Sequence, residues 1–152
     1  MTRYIAMLVT MCLMAVNPVW SNTGTVTKVE AGDLIVIGDN WKTRISGIRV
    51  SDVRDPVGFR AFDFTKRHVE GAVVKLFTWT TNNIAAGIVR DENGLPRAKI
   101  LFGKGWSEDL AERLLAQGLA WVDETMLPED CEHYRAIEAE ARRRGVGLWA
   151  DN

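Results

Sequence analysis

The chain has 152 residues, with 19 Lys and Arg against 20 Asp and Glu, for a formal net charge of −1. That length fits one domain, or one domain behind a targeting segment. A hydrophobic fraction of 47% with 26% charged residues excludes a disordered or low-complexity chain, and the near-neutral balance argues against holding nucleic acid by bulk electrostatics.

The N-terminus reads as separate from the domain. Arg3 supplies a positive start, Tyr4 to Val16 is an uncharged apolar run, Asn17-Pro18 breaks it, and Val19-Trp20-Ser21 places Val at −3 and Ser at −1 of a cut. This is the pattern of a secretory signal peptide, and the run is shorter than the roughly 20 residues a bilayer span needs. The expected domains are a signal peptide at 1–21 and one folded domain at 22–152, exported to the periplasm or secreted, with no stable membrane anchor after cleavage. Cleavage removes Arg3 and no acid, so the remaining chain is more acidic still. It also removes Cys12, which leaves Cys131 with no internal disulfide partner and no Cys-based metal site. A partly buried thiol and an intermolecular disulfide both stay open for it.

The elements follow in order. Thr23 to Glu30 reads as a strand, Ala31-Gly32-Asp33 as a turn, Leu34 to Ile37 as a short buried strand and Gly38-Asp39-Asn40 as a second turn. Trp41 to Ile48 reads as a third strand, completing a meander. Ser51 to Gly58 is a loop. A helix over about Phe59 to Glu70 carries Phe59, Phe62 and Val69 on one side, and Gly71 ends it. Val73 to Trp79 is a fourth strand. Ile84 to Arg90 and Ala98 to Phe102 flank the turn Asp91-Glu92-Asn93-Gly94 and read as a hairpin.

Ser107 is the expected cap of the next helix, with Glu108 and Asp109 in its first turn. Leu110, Leu114 and Leu115 form its apolar stripe and Gly118 stops it. Leu119 to Val122 is a short extended piece. A final helix over about Glu129 to Arg144 turns Cys131, Tyr134, Ile137 and Ala141 inward. Its outer face offers Glu138–Arg142 and Glu140–Arg144 as i,i+4 pairs. The order β-β-β-α-β-β-α-α fits an α+β fold, a short five-stranded β-barrel with three attached helices.

Four segments together resemble the staphylococcal nuclease (thermonuclease) family. Val29-Glu-Ala-Gly-Asp-Leu-Ile-Val-Ile37 is similar to the family's strand, Asp-Gly-Asp turn and strand. Arg44-Ile-Ser-Gly-Ile-Arg-Val-Ser-Asp52 has the spacing of Arg-Leu-x-Gly-Ile-Asp-Ala-Pro-Glu. Leu114-Leu-Ala-Gln-Gly-Leu-Ala120 is close to Leu-Val-x-x-Gly-Leu-Ala. Tyr134, Glu138-Ala-Glu-Ala-Arg and Gly145-Val-Gly-Leu-Trp149 look like the closing helix and Gly-Leu-Trp tail. The resemblance covers Gly24 to Trp149 and implies an OB-fold barrel.

It also implies a site. In the family a calcium ion and arginines polarise a phosphodiester, and a Glu activates the attacking water. Calcium wants several oxygen ligands, the developing negative charge wants guanidinium donors, and the base must reach a water. Position by position, Asp33 matches the first calcium aspartate and is the one metal ligand implied, if calcium binds. Arg44 matches the first phosphate-binding arginine. Arg49 stands at the second calcium aspartate. Val50 stands where a backbone carbonyl helps hold calcium. Asp52 matches the general base, one methylene short, and Leu95 takes the place of the second arginine, with Arg90 and Arg97 near but out of register.

Arg49 reverses a charge that calcium needs, where one unit pair at ~4 Å is worth about 4 kcal/mol at an effective dielectric of 20. Its guanidinium is expected to pair with Asp33 and Asp52 instead. A short base loses alignment, and ~1 Å of misplacement can cost about 10²-fold. The expectation is an exported nuclease-like domain, a catalytically impaired pseudoenzyme with no cofactor, acting as a binding module for a protein, an oligosaccharide or a nucleic acid. The alternative is a calcium-dependent nuclease of DNA or RNA with a rearranged site, using Arg44, Asp52 and Arg97. Trp41 and Trp79 read as rim packing or as stacking platforms on an OB face. Asp33, Asp52 and Asp55 also read as turn or capping residues.

Overall fold

The computed structural model describes residues 19–79, 89–125 and 128–150. Its strands are β1 (Val19–Ala31), β2 (Leu34–Ile37), β3 (Trp41–Ile45), β4 (Ile48–Arg49), β5 (Val73–Trp79), β6 (Arg97–Phe102), β7 (Glu108–Asp109) and β8 (Trp121–Val122). Its helices are α1 (Pro56–Val69), α2 (Leu110–Ala116) and α3 (Pro128–Arg144). A short 3₁₀ turn at Gly147–Trp149 follows α3.

Strands pair in the order β3-β2-β1-β5-β6-β7, and β3 also pairs with β6. That extra pairing closes β3-β2-β1-β5-β6 into a five-stranded barrel. Every contact around the ring is antiparallel except the closing seam, where β3 and β6 run parallel with Arg44 opposite Arg97 and Ile45 opposite Ala98. β4 and β8 make a separate two-strand pair, Ile48 opposite Val122 and Arg49 opposite Trp121.

The core follows from strand alternation, which sends successive side chains to opposite faces. Val26, Ile35, Thr43, Ile45, Val74, Ala98 and Ile100 all point inward and are fully buried. α2 adds Leu110, Leu114 and Leu115, and α3 adds Tyr134 and Ala141. Tyr134 donates its hydroxyl to Asp109 (2.8 Å), tying α3 to the start of α2.

Several expectations need correction. The third strand ends at Ile45, because Ser46–Gly47 turn the chain before β4. α1 begins three residues before Phe59, at Pro56, whose missing N–H costs nothing in a first turn. Its buried side is Gly58, Ala61, Thr65 and Val69, so Phe62 is only partly buried and Phe59 is 56% exposed. The α2 cap is Asp109 rather than Ser107, its carboxylate accepting from the amides of Ala111 and Glu112. On α3, Glu138 pairs with Arg142 as expected, but Glu140 pairs with Arg143 rather than Arg144.

Gly71 does end α1, with φ +81°, a conformation that costs glycine little. Its amide reaches the carbonyl of Val26 (2.8 Å). The expected export segment at 1–18 lies outside the described residues, while 19–21 open β1 opposite 77–79. Residues 84–88 of the expected hairpin and the side chains of Trp79 and Cys131 also lie outside them. Among the described residues, no helix is long and apolar enough to cross a membrane.

Candidate active site

The β3–β6 seam brings the charged residues together. Arg44 lies on the outer face of β3 because its neighbours Thr43 and Ile45 are buried inside. Arg97 lies on the outer face of β6 beside it, next to inward Ala98. Two turns lie against this pair, Gly32–Asp33 between β1 and β2, and Asp91–Leu95 ahead of β6.

Helix α1 fixes the first turn. Thr65 donates its hydroxyl to the Gly32 carbonyl (2.7 Å). A Cβ on Gly32 would meet the Ala61 Cβ at 2.6 Å, so glycine is what lets the turn rest on the helix. The Asp33 carbonyl then accepts from the Ile45 amide (2.8 Å), which ties the turn to β3. Asp91 organises the second turn. One carboxylate oxygen accepts from the amides of Asn93 (2.9 Å) and Leu95 (2.8 Å).

Arg44 joins the two turns. Its Nη1 donates to Asp33 Oδ2 (2.8 Å) and its Nε to Asp91 Oδ2 (2.7 Å). Burial works against the Arg44 charge, but the two carboxylates outweigh it and hold its pKa above the ordinary value. Burial likewise raises the pKa of Asp91, and the Arg44 guanidinium with the Leu95 and Asn93 amides more than reverses this, leaving it lowered. Asp33 differs. Burial raises its pKa by more than Arg44 lowers it, and its Oδ1 is buried without a hydrogen-bond partner.

Arg97 and Arg49 form a second cluster. Arg97, 6% exposed, donates to Asp123 Oδ2 and lies 3.6 Å from Glu92. Arg49 lies 3.3 Å from Glu92 and 3.5 Å from the same Asp123 oxygen. The Asp123 amide is held by the Gly47 carbonyl (2.9 Å), and its other carboxylate oxygen accepts from the Thr125 amide and hydroxyl. Burial pushes the Asp123 carboxyl up, but Thr125 and Arg97 bring it down to about 2.

Of the residues expected at the site, Asp33 and Arg44 meet directly. Arg49 does not pair with Asp33 or Asp52, which corrects that expectation. Arg44 already holds Asp33, and Asp52 turns outward to Arg54. There it accepts from the Arg54 amide (2.9 Å), Nε (2.9 Å) and Nη2 (2.8 Å), which hold its carboxyl well below the usual carboxylate range. Leu95 contributes its amide to Asp91 and no charge. Val50 packs against the core edge.

The family's calcium can be tested against this donor set. A calcium ion takes about six to eight oxygens. Asp33 has one carboxylate oxygen bound by Arg44, the second metal position carries a guanidinium, and Asp52 is engaged with Arg54. The residues present do not fit the ion. Among the described residues, no group of three or more His, Cys, Asp and Glu is placed to hold a metal.

Asp91, Glu92 and Asp123 are the partners that sequence reasoning did not single out. Asp91 carried a signal, as the first residue of a turn that Gly94 closes. Asp123 carried none, because only the β4–β8 pairing brings it to Arg97. Residues 42–151 match a family model described as staphylococcal nuclease homologue, a span that includes Arg44, Arg49, Asp52 and Leu95 but begins after Asp33. No curated protein matches the chain.

Proposed function

From the premise that the chain belongs to the staphylococcal nuclease family, we propose that it is an exported domain whose catalysis is impaired and which acts as a binding module for a protein, an oligosaccharide or a nucleic acid. Export rests on the charged start, apolar run and Ser21 cut of the N-terminus. The observation that carries the impairment is the engagement of Arg44. The arginine matched to phosphate binding is ion-paired to two carboxylates at once, Asp33 and Asp91.

Other features support the same reading. A guanidinium aids phosphoryl chemistry when its donors face the place where negative charge develops. Arg44 donors face carboxylates, and Leu95 supplies no second guanidinium. A general base must reach an attacking water within about 3 Å, and Asp52 is held by Arg54 in the loop instead. The engagement of Asp33 by Arg44 and of Asp52 by Arg54 also speaks against calcium, so this reading assigns none.

The test is incubation of the purified protein with plasmid and with single-stranded DNA, with calcium or with chelator. No cleavage above background in either condition is the expected result. Cleavage that calcium supports and chelator removes would establish the rearranged nuclease instead.

A further inference from the structure

Arg44 and Arg97 are register partners on the parallel seam, and neighbouring strands lie about 4.8 Å apart. Both side chains leave the outer face. Two guanidiniums rooted so close together suit a shared phosphate, each giving planar N–H forks to anionic oxygens. Both are engaged by carboxylates. Asp33 and Asp91 hold Arg44, and Asp123 with Glu92 holds Arg97.

The carboxylates on Arg97 are unlike. Glu92 is 58% exposed and its closest Arg97 contact is 3.6 Å, so screening weakens it. Asp123 is 2% exposed and hydrogen-bonded to Arg97. It also arrives from far along the chain, held in place by Gly47 and Thr125.

We infer that Asp123 is a specificity-determining residue, an internal anion that occupies Arg97 and so keeps phosphate-type ligands off that guanidinium beside Arg44. The inference rests on the reading that this seam is not a working nuclease site. A tethered carboxylate acts twice, by filling the donors and by repelling a second anion. Asn at position 123 removes the charge and keeps an acceptor for the Thr125 amide and hydroxyl.

The probe is inorganic phosphate, titrated in calcium-free buffer into the purified full chain and followed by calorimetry and by the shift in melting temperature. Asp123→Asn should bind phosphate at least tenfold more tightly than the parent, and adding Arg97→Gln should abolish the gain. Asp123→Ser, with a small acceptor, repeats the test if the Asn variant does not fold. No gain in a folded variant, or a gain that survives Arg97→Gln, overturns the inference. So does loss of folding in both variants, because Asp123 would then be a structural requirement. Chelator-sensitive cleavage by the parent would overturn the functional reading alone, since the phosphate comparison is made without calcium.

Discussion

β3 and β6 present two very different faces from the same residues in alternation. Inside, Thr43, Ile45, Ala98 and Ile100 are fully buried in the barrel, where close packing and removal of apolar surface from water stabilise the fold. Outside, Arg44 and Arg97 are held by four carboxylates from three other segments. The inner face needs only residues of suitable size at alternate positions. The outer face needs specific partners, and a buried ion pair stabilises little beyond recovering its own desolvation. The barrel therefore supplies stability while the seam supplies specificity.

The largest expected effect comes from breaking one outer pair. Arg97→Leu leaves the Asp123 carboxylate buried beside a more distant Arg49, and should cost about 3–5 kcal/mol in urea unfolding. Replacing both partners, Arg97→Leu with Asp123→Leu, should cost markedly less. If the double variant is as unstable as the single one, the seam is a stability element after all.

Acid unfolding sharpens the contrast next. Asp123 has a folded pKa of about 2 against an ordinary ~3.9. Its contribution, roughly 2–3 kcal/mol, is therefore present above about pH 4 and lost as pH falls through its folded pKa. Asp33 has the opposite sign, since burial raises its pKa, and its charge costs stability that acidification returns. Urea midpoints measured from pH 5 to pH 2 should fall less steeply in Asp123→Asn than in the parent.

On the inner face, Ile45→Val should cost about 0.5–1.5 kcal/mol, the effect of one methylene lost from a packed core. A larger loss in the same urea experiment would mean that the seam transmits strain to Arg44. The smallest effect belongs to Asp52→Asn. Asp52 is exposed and bound to Arg54 in its own loop, so the melting temperature should not change. A clear drop would show that Asp52 supports the fold in a way its contacts do not explain.

The two faces were also unequally legible. Alternation and turn residues locate Leu34–Ile37 and Val73–Trp79 without error, because local pattern decides both. Asp109 rather than Ser107 caps α2 because β7 carries the chain two residues further before the helix begins, and both residue types cap well. Phe59 escapes burial because Gly58 and Ala61 take the packed side of α1, Gly58 close against the Ser51–Asp52 backbone and Ala61 against the Gly32 turn. Arg49 shows why the site was only half legible. Its identity is read from spacing, but its partners are Glu92 and Asp123, and no local signal joins residues that far apart. The β4–β8 pairing brings Asp123 to Arg49, and the parallel closure of β3 on β6 sets the turn that carries Glu92 alongside.

The decisive measurement is a calorimetric titration of calcium into the purified protein. With Arg44 engaged by Asp33 and Asp91, and Arg49 at the second metal position, no saturable calcium heat is expected at millimolar concentration. A saturable signal that disappears in Asp33→Asn would contradict it, and would place a working metal site where the chain carries arginines.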